Sequence, residues 1–234
     1  MSKPVIGIPS KERNKEENDY WHRQEVVDDL RYLIVKNGGI GIVLLPSEIR
    51  LDFNKSDLCD ETILTDEEKE DLHTQVDLCD GIILQGGDYS NEYEVEIARY
   101  ALKKDIPLLG ICAGFNNILR ALGSNICEDE SKAHSKYDID YRHGIRIVKD
   151  TLLYDLLKED HYAVNSFHTM IADEDRVAPY ARIGAYSYDG LVEAFDLPEK
   201  RFVLAVKWHP ELMKEEGYTD KLFKRFIEAC KEEK

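Results

Sequence analysis

The sequence lacks long hydrophobic runs, since no apolar stretch approaches the ~18 residues of a membrane-spanning helix. It also lacks a basic surplus, with 31 Lys and Arg against 47 Asp and Glu and a formal charge of −16. Nucleic acid and anionic membranes are therefore disfavoured as partners, because both would repel such a surface. A small anionic ligand is not excluded, because it responds to the local field of a pocket.

Residues 1–8 have neither the length nor the cleavage site of a signal peptide. The five cysteines are scattered, without the spacing of a disulfide framework, which predicts a reduced, cytoplasmic protein. A metal site at Cys59, Cys79 and His73 is disfavoured because no close Cys-x-x-Cys pair supports it. We therefore expect neither a metal nor a cofactor. No Gly-, Pro- or Ser-rich linker divides the chain, which predicts one domain over residues 1–234.

The first half of the chain alternates short apolar runs with amphipathic stretches. Strands are predicted at 5–8, 40–45, 80–84 and 106–111, and helices at 21–36, 65–78, 91–104 and after residue 112. This order predicts a parallel sheet covered on both faces, with the active site at the carboxyl ends of its strands. The polar stretch 10–20 is predicted to be a loop that approaches such a site.

The second half of the chain reads as short strands separated by turn residues. They are predicted at 143–148, 162–164, 182–188, 191–196 and 202–208, with a hairpin signal at Asp189-Gly190 and a final helix at 215–231. The chain is therefore predicted to be α/β, with a mostly parallel central sheet and a small antiparallel extension.

The central motif is Gly110-Ile-Cys-Ala-Gly114, which lies between a predicted buried strand and a predicted helix. A sharp strand-to-helix turn with this pattern is the cysteine form of a nucleophile elbow. The N–H groups that open the helix would favour the thiolate of Cys112 over the thiol. The alternative interpretation is an ordinary buried cysteine in a β-turn-α unit.

Several segments together carry a resemblance to a known family over residues 4–213. They are Gly86-Gly87 after a strand, the cysteine elbow, Asn165-Ser-Phe-His168, Asp189-Gly-Leu-Val-Glu193 and Trp208-His-Pro-Glu211. With them the chain resembles the class I glutamine amidotransferase superfamily. Within it, the chain is most similar to the free-standing γ-glutamyl hydrolase branch, which includes γ-glutamyl-γ-aminobutyrate hydrolases. The resemblance implies a flavodoxin-like, three-layer sandwich fold.

The resemblance also implies a catalytic triad. Cys112 would be the nucleophile, His209 the general base and later acid, and Glu211 the carboxylate that orients the imidazole, with both latter residues on a strand-like segment. The implied oxyanion hole consists of backbone N–H groups from Gly86, Gly87 and Ala113.

Substrate-binding positions are expected at His168, Asn116 and Ser166. The alternative for His168 is a histidine packed at a strand end, and the alternative for Ser166 is a turn or hydrogen-bonding residue. His134 and His143 lie in polar surroundings and receive no role.

Two features depart from the family pattern. The loop after the glycine pair is short, since residues 88–91 pass almost at once into a helix. Asn116 stands where a glutamine that grips the glutamyl group is expected, and it is one methylene shorter. The shorter side chain of Asn116 favours a looser grip, a water-bridged grip or a different acyl group, and both departures leave the identity of the substrate open.

The expected function is a cysteine-dependent hydrolase that cleaves the amide of a small γ-glutamyl compound through a thioester. One alternative is a glutaminase subunit that delivers ammonia to a separate synthetase, and another is a catalytically silent binding protein. A homodimer is compatible with either enzymatic interpretation.

Overall fold

The computed structural model describes residues 2–13, 20–49, 51, 62–88, 90–136 and 138–232. The strands are β1 (Val5–Pro9), β2 (Lys11–Glu12), β3 (Gln24–Glu25), β4 (Ile40–Leu44), β5 (Gly81–Leu84), β6 (Leu108–Ile111), β7 (Cys127–Glu128), β8 (His143–Ile147), β9 (His161–Val164), β10 (Met170–Ile171), β11 (Arg182–Ser187), β12 (Val192–Asp196) and β13 (Val203–Val206). The helices are α1 (Asp28–Lys36), α2 (Asp66–Asp77), α3 (Glu92–Lys104), α4 (Ala113–Ala121), α5 (Leu152–Leu157), α6 (Glu174–Val177) and α7 (Gly217–Ala229), with a 3-10 helix at Pro210–Leu212.

Within these residues, nine strands form one sheet in the order β4-β1-β5-β6-β13-β12-β11-β8-β9. The strands from β4 to β13 pair in parallel. The strands from β12 to β9 are added by antiparallel pairing. The predicted α/β class and mostly parallel central sheet are confirmed, and the antiparallel extension continues the same sheet.

Each face of the sheet carries its own hydrophobic core. Ile83 of β5 and Leu204 of β13 pack with α1, α5 and α7, whereas their neighbours Ile82 and Val203 pack with α2, α3 and α4. Successive side chains of a strand point to opposite faces, so a strand between two helical layers is apolar throughout. The predicted three-layer arrangement is therefore present.

The helix predicted at 21–36 begins only at Asp28. Before it, Gln24–Glu25 pairs with Lys11–Glu12 in a two-stranded ribbon. The buried side chain of Gln85 fixes this segment, because its oxygen accepts from Val27 N at 3.0 Å and its amide donates to Pro9 O at 2.8 Å. The sequence before Asp28 has a helical period, but hydrogen bonds to Gln85, which is distant in the sequence, hold this segment in a different conformation.

The helix predicted at 65–78 starts as expected, because Thr65 and Glu68 form a reciprocal capping box. The short helices α5 and α6 were not predicted, although the side chains of Thr151 and Asp173 cap their N-termini by accepting from Tyr154 N and Arg176 N. Within the described ranges, no helix has both the length and the apolar character needed to cross a membrane.

Candidate active site

The sharp turn predicted at Gly110-Ile-Cys-Ala-Gly114 joins β6 to α4. Cys112 adopts φ +52° and ψ −101°, a conformation that non-glycine residues rarely hold and that costs on the order of 1–3 kcal/mol. Its N–H donates to Val206 O of the neighbouring strand at 2.9 Å. Gly114 lies so close to β5 that a Cβ there would sit 2.2 Å from Leu84 O. The packing of α4 on β5 thus requires glycine, and it leaves Cys112 at the carboxyl end of β6.

His209 and Glu211 follow β13, the strand beside β6. His209 Nδ1 lies 2.7 Å from Glu211 Oε1, and Glu211 is 1% exposed. The sequence analysis placed the two residues on a strand-like segment, but Pro210–Leu212 forms a 3-10 turn. The Thr219 hydroxyl donates to Pro210 O at 3.0 Å and holds this turn against α7. The tight turn brings the carboxylate back to the imidazole.

The backbone of His209 is fixed by the side chain of Asn165. Asn165 Nδ2 donates to His209 O at 2.8 Å, and His209 N donates to Asn165 Oδ1 at 2.8 Å. The ring of Phe167 stands nearly perpendicular to the imidazole, with the two centroids 5.7 Å apart. On another side the imidazole touches Gly86, where a Cβ would lie 2.3 Å from His209 Cε1. The ring position therefore depends on contacts from two segments, residues 165–167 and the stretch after β5.

The Cys112 thiol and the His209 imidazole shift each other's protonation. Burial alone would raise the pKa of Cys112, but the charge of His209, a hydrogen bond with it and the charge of Lys207 together lower that pKa. Burial alone would lower the pKa of His209, but Glu211 and Cys112 raise it well above its ordinary value. The lowered pKa of Cys112 and the raised pKa of His209 both favour a thiolate–imidazolium pair, with the Glu211 carboxylate next to the imidazolium.

A cavity of about 510 Å³ opens beside His209 at the carboxyl ends of β1 and β5. Its lining residues are Lys11, Glu12, Arg13, Glu25, Val27, Gln85, Gly86, Gly87, Asp88, His209, Glu211 and Leu212. Of the stretch 10–20, predicted to be a loop near the site, residues 14–19 lie outside the described residues. Lys11, Glu12 and Arg13 do line the cavity, but Lys11–Glu12 form strand β2 and not a loop. Charges of both signs line the cavity, which suits a zwitterionic ligand better than an apolar one.

The residues expected to form the oxyanion hole lie around this site. Gly86 and Gly87 directly follow β5 and line the cavity. Ala113 is the first residue of α4 and directly follows Cys112. The first N–H groups of a helix have no partner within the helix, so the start of α4 offers donors beside the sulfur.

The three expected substrate-binding residues lie outside the set that lines the 510 Å³ cavity. Asn116 is buried in α4, where its Oδ1 accepts from Lys207 Nζ at 2.7 Å. Ser166 donates to His134 O at 2.8 Å and lines a second cavity of about 190 Å³. His168 is 3% exposed, and its Nδ1 lies 3.2 Å from Met170 O. Ser166 thus lies as expected for a hydrogen-bonding residue, and His168 as expected for a packed histidine. These are the alternatives to substrate binding that the sequence left open for the two residues.

Sequence reasoning gave no role to Lys207. Its side chain is 1% exposed, and its ammonium lies 2.7 Å from Asn116 Oδ1 and 5.0 Å from the centroid of the Phe115 ring. Lysine is rarely buried, so a lysine inside the apolar run 202–208 was the available signal. The ammonium supplies positive charge to the neighbourhood of Cys112.

Two groups of residues bear on metal binding. The first group is Cys59, Cys79 and His73, where the sequence disfavours a metal site. Cys59 lies outside the described residues. Cys79 Sγ contacts Gln75 O, and His73 Nε2 pairs with Glu96. A different group, His134, His143 and Glu193, brings one ligand atom from each residue within 4.8 Å of the others. Sequence reasoning missed this cluster, because its members are far apart in the chain and have no characteristic spacing.

The chain matches the family model described as Peptidase C26 over residues 4–211. It is 33% identical over 148 residues to the protein NtpR of Enterococcus hirae, covering 58% of this chain and 60% of that one. It is also 33% identical over 148 residues to the γ-glutamyl-γ-aminobutyrate hydrolase PuuD of Escherichia coli, covering 57% and 58%. The matches thus span less than two thirds of these curated relatives.

Solved structures share the fold at low sequence identity. A glutamine amidotransferase from Thermotoga maritima superposes with a TM-score of 0.62 at 15% identity, covering 99% of this chain and 100% of that one. The glutaminase domain of the Trypanosoma brucei CTPS, which has acivicin bound, gives 0.62 at 16% identity, covering 97% and 93%.

Proposed function

The chain belongs to the Peptidase C26 family, whose members have a class I glutamine amidotransferase-like fold, and from this membership we propose a cysteine-dependent γ-glutamyl hydrolase. The amidohydrolase class follows from the family. The finer proposal is that the enzyme cleaves the γ-glutamyl amide of a small compound through a thioester, and the similarity to PuuD supports it. The observation that carries the proposal is the buried His209–Glu211 pair next to a cysteine whose pKa is lowered.

In the proposed acylation step, the Cys112 thiolate attacks the amide carbon. The carbonyl π electrons move to oxygen, and a tetrahedral oxyanion forms. As the oxyanion collapses, the C–N bond breaks and the His209 imidazolium gives its proton to the departing nitrogen. An amine leaves, and the acyl group remains on sulfur as a thioester. Glu211 keeps the His209 ring oriented and stabilises its charged form.

In the proposed deacylation step, neutral His209 accepts a proton from water while the water oxygen attacks the thioester carbon. Collapse of this second oxyanion breaks the C–S bond and returns the thiolate–imidazolium pair. The product is the free γ-carboxylate. The backbone N–H groups of Gly86, Gly87 and Ala113 would hold the oxyanion in both steps, each donor contributing about 3 kcal/mol to lowering the barrier.

The direct test is turnover of a panel of γ-glutamyl amines by the wild-type chain and by a Cys112→Ala variant. We expect release of glutamate and the amine by the wild type, and no turnover above background by the variant. Cys127→Ala is a matched control, because Cys127 is a free cysteine in the short ribbon formed by β7 and β10. Equal turnover by wild type and Cys112→Ala would refute the proposed mechanism.

A second function uses the same chemistry as the glutaminase subunit of a two-protein amidotransferase. The structural similarity to a CTPS glutaminase domain favours it. Glutamine hydrolysis that is weak alone and rises strongly when a synthetase is added would support this function over free-standing hydrolysis. A catalytically silent protein would leave Cys112 unlabelled by a glutamine-like chloro ketone.

We also propose that the enzyme works in the cytoplasm. The mechanism needs Cys112 as a free thiolate, and Cys112, Cys127 and Cys230 carry free thiols. A reducing compartment preserves that state.

A further inference from the structure

Three histidines surround the carboxylate of Glu193. These four residues are far from Cys112 in the sequence and lie on other elements of the fold. Glu193 lies on β12 and is 0% exposed. His134 precedes β8, His143 begins it, and His168 follows β9. The side chains of His134 and His168 are 6% and 2% exposed, so the centre of the cluster is buried. Four separate stretches of chain therefore direct polar atoms to one point.

The distances within this cluster are nearly equal. Glu193 Oε1 lies 3.5 Å from His134 Nδ1, 3.7 Å from His143 Nε2 and 3.6 Å from His168 Nε2. Each separation is too long for a hydrogen bond. Tetrahedral Zn²⁺, with bonds of about 2.0–2.2 Å, keeps its ligand atoms about 3.3–3.6 Å apart. The distances from Glu193 Oε1 to His134 and His143 agree with this value to within about 0.2 Å, and the facing atoms of these three residues all lie within 4.8 Å of one another.

The facing atoms have no hydrogen-bond partners. This holds for His134 Nδ1, His143 Nε2, His168 Nε2 and both carboxylate oxygens of Glu193. A buried carboxylate without a partner is costly, because it has lost its hydration and gained nothing in exchange. A cation bound between His134 Nδ1, His143 Nε2 and Glu193 Oε1 would give these three groups a partner at once.

In the rings of His134 and His168, the outer nitrogen is the one that points away from Glu193. Its hydrogen bond determines whether the nitrogen that faces Glu193 carries a lone pair. His168 Nδ1 lies 3.2 Å from Met170 O, and His134 Nε2 lies 3.0 Å from Asp189 Oδ2. Both oxygens only accept, so both outer nitrogens carry the hydrogen. In the neutral rings, His134 Nδ1 and His168 Nε2 then point lone pairs at the Glu193 carboxylate, which is repulsive without a positive charge between them. Partners of this kind also orient the ligands of metal sites.

We propose that His134 Nδ1, His143 Nε2 and Glu193 Oε1 bind one divalent transition-metal ion, with zinc the best fit. Two imidazoles and one carboxylate favour zinc over magnesium or calcium, which prefer all-oxygen sites. Three protein ligands leave the fourth position of tetrahedral zinc to water. The 190 Å³ cavity, lined by His134, His143, Tyr188 and Asp189, gives the ion a path from solvent.

A bound ion would connect the antiparallel end of the sheet to the active site. His168 is three residues after Asn165, whose side chain fixes the His209 backbone. Phe167, between them, contacts the His209 ring. Because His168 lies against the same carboxylate, the ion would stabilise the segment that positions the base.

The test is metal analysis of the tag-free, full-length chain after removal of metals with a chelator and reloading with Zn²⁺. We expect about one Zn²⁺ per chain, and a visible absorption band of tetrahedral Co²⁺ when cobalt replaces zinc. His143→Ala and Glu193→Gln should each abolish stoichiometric uptake. Asp189→Ala, which removes the outer partner of His134 and the acceptor of the Ser187 hydroxyl, should weaken affinity about 10–100-fold.

His73→Ala is the matched control, because His73 pairs with the carboxylate of Glu96 but lies on α2, away from the cluster. It should bind metal as the wild type does. Far-ultraviolet circular dichroism of each variant checks that it is folded, and the cobalt spectrum of the wild type does not depend on any variant. Absence of stoichiometric uptake by the wild type, or uptake unchanged in both His143→Ala and Glu193→Gln, would overturn the proposal.

Discussion

The side-chain amide of Asn165 makes two 2.8 Å hydrogen bonds to the backbone of His209, one to its carbonyl oxygen and one from its N–H. The amide thus pairs with the His209 backbone as a neighbouring strand would, and it fixes the position of His209 after the end of β13. The imidazole direction is set by this clamp and by the carboxylate of Glu211. Positioning of the base therefore depends on a residue that contributes no chemistry of its own.

The first prediction concerns this clamp. Asn165→Ala should lower kcat about 100-fold, since misplacement of a catalytic group by about 1 Å has that effect, with a smaller change in KM. Steady-state kinetics on a γ-glutamyl amide measures it. Asn37→Ala is the control, because Asn37 makes its side-chain hydrogen bond to Leu33 O at the end of α1. A kcat within twofold of wild type for Asn165→Ala would contradict the assigned role.

The second prediction concerns the pH dependence of Cys112 alkylation by iodoacetamide. The lowered pKa of Cys112 means that the thiolate persists below the pH range in which an ordinary thiol is protonated. The alkylation rate should therefore fall only as the pH drops through that lowered pKa. In His209→Ala, burial remains and the imidazolium is lost, so the midpoint should move to higher pH.

Mass spectrometry of labelled peptides separates Cys112 from the other cysteines. Cys230 is an internal reference, because burial raises the pKa of its thiol and it should stay unlabelled at neutral pH. The interpretation fails if the Cys112 midpoint is the same in wild type and His209→Ala.

The third prediction concerns Lys207. Its charge is one cause of the lowered pKa of Cys112, so Lys207→Met should move the alkylation midpoint to higher pH. The variant also takes a donor from Asn116 Oδ1, which should cost about 1–3 kcal/mol in the free energy of unfolding. Lys200→Met is the control, since Lys200 donates to Leu102 O on α3. An unchanged midpoint in Lys207→Met would exclude an electrostatic role.

The fourth prediction concerns the contact between Gly86 and the imidazole. A Cβ at Gly86 would lie 2.3 Å from His209 Cε1, so Gly86→Ala should displace the ring and lower kcat about 100-fold. Gly217→Ala is the control, because a Cβ at Gly217 would meet nothing within 4 Å. The same kinetic assay compares both variants, and equal kcat values would show that the ring tolerates the methyl group.

The parts of the molecule that the sequence predicted well are those in which one local pattern decides the structure. The continuous apolar runs specified the buried strands, and Thr65 with Glu68 specified the start of α2. The elbow was readable because its two glycines and its cysteine lie within five residues. In each of these cases, neighbours in the chain are also neighbours in space.

The parts that the sequence did not predict depend on contacts between distant residues. The start of α1 is set by Gln85, and the His209 backbone by Asn165. The Glu193 cluster assembles only when β8, β12 and the segment after β9 come together in the antiparallel part of the sheet. No periodic pattern in the sequence indicates contacts between residues so far apart, so these contacts can be identified only from the three-dimensional structure.

The parallel pairing of β6 with β13 places Ile111 opposite Val206. The sulfur and the imidazole therefore lie just beyond the ends of two neighbouring strands, and their separation does not depend on how much polypeptide lies between them. Lengthening or shortening those connections among the antiparallel strands that leave Asn165 and Phe167 in place would alter the surroundings of the reacting groups while leaving their spacing intact. New acyl or amine preferences can thus arise by remodelling one half of the molecule around chemistry that the other half keeps constant.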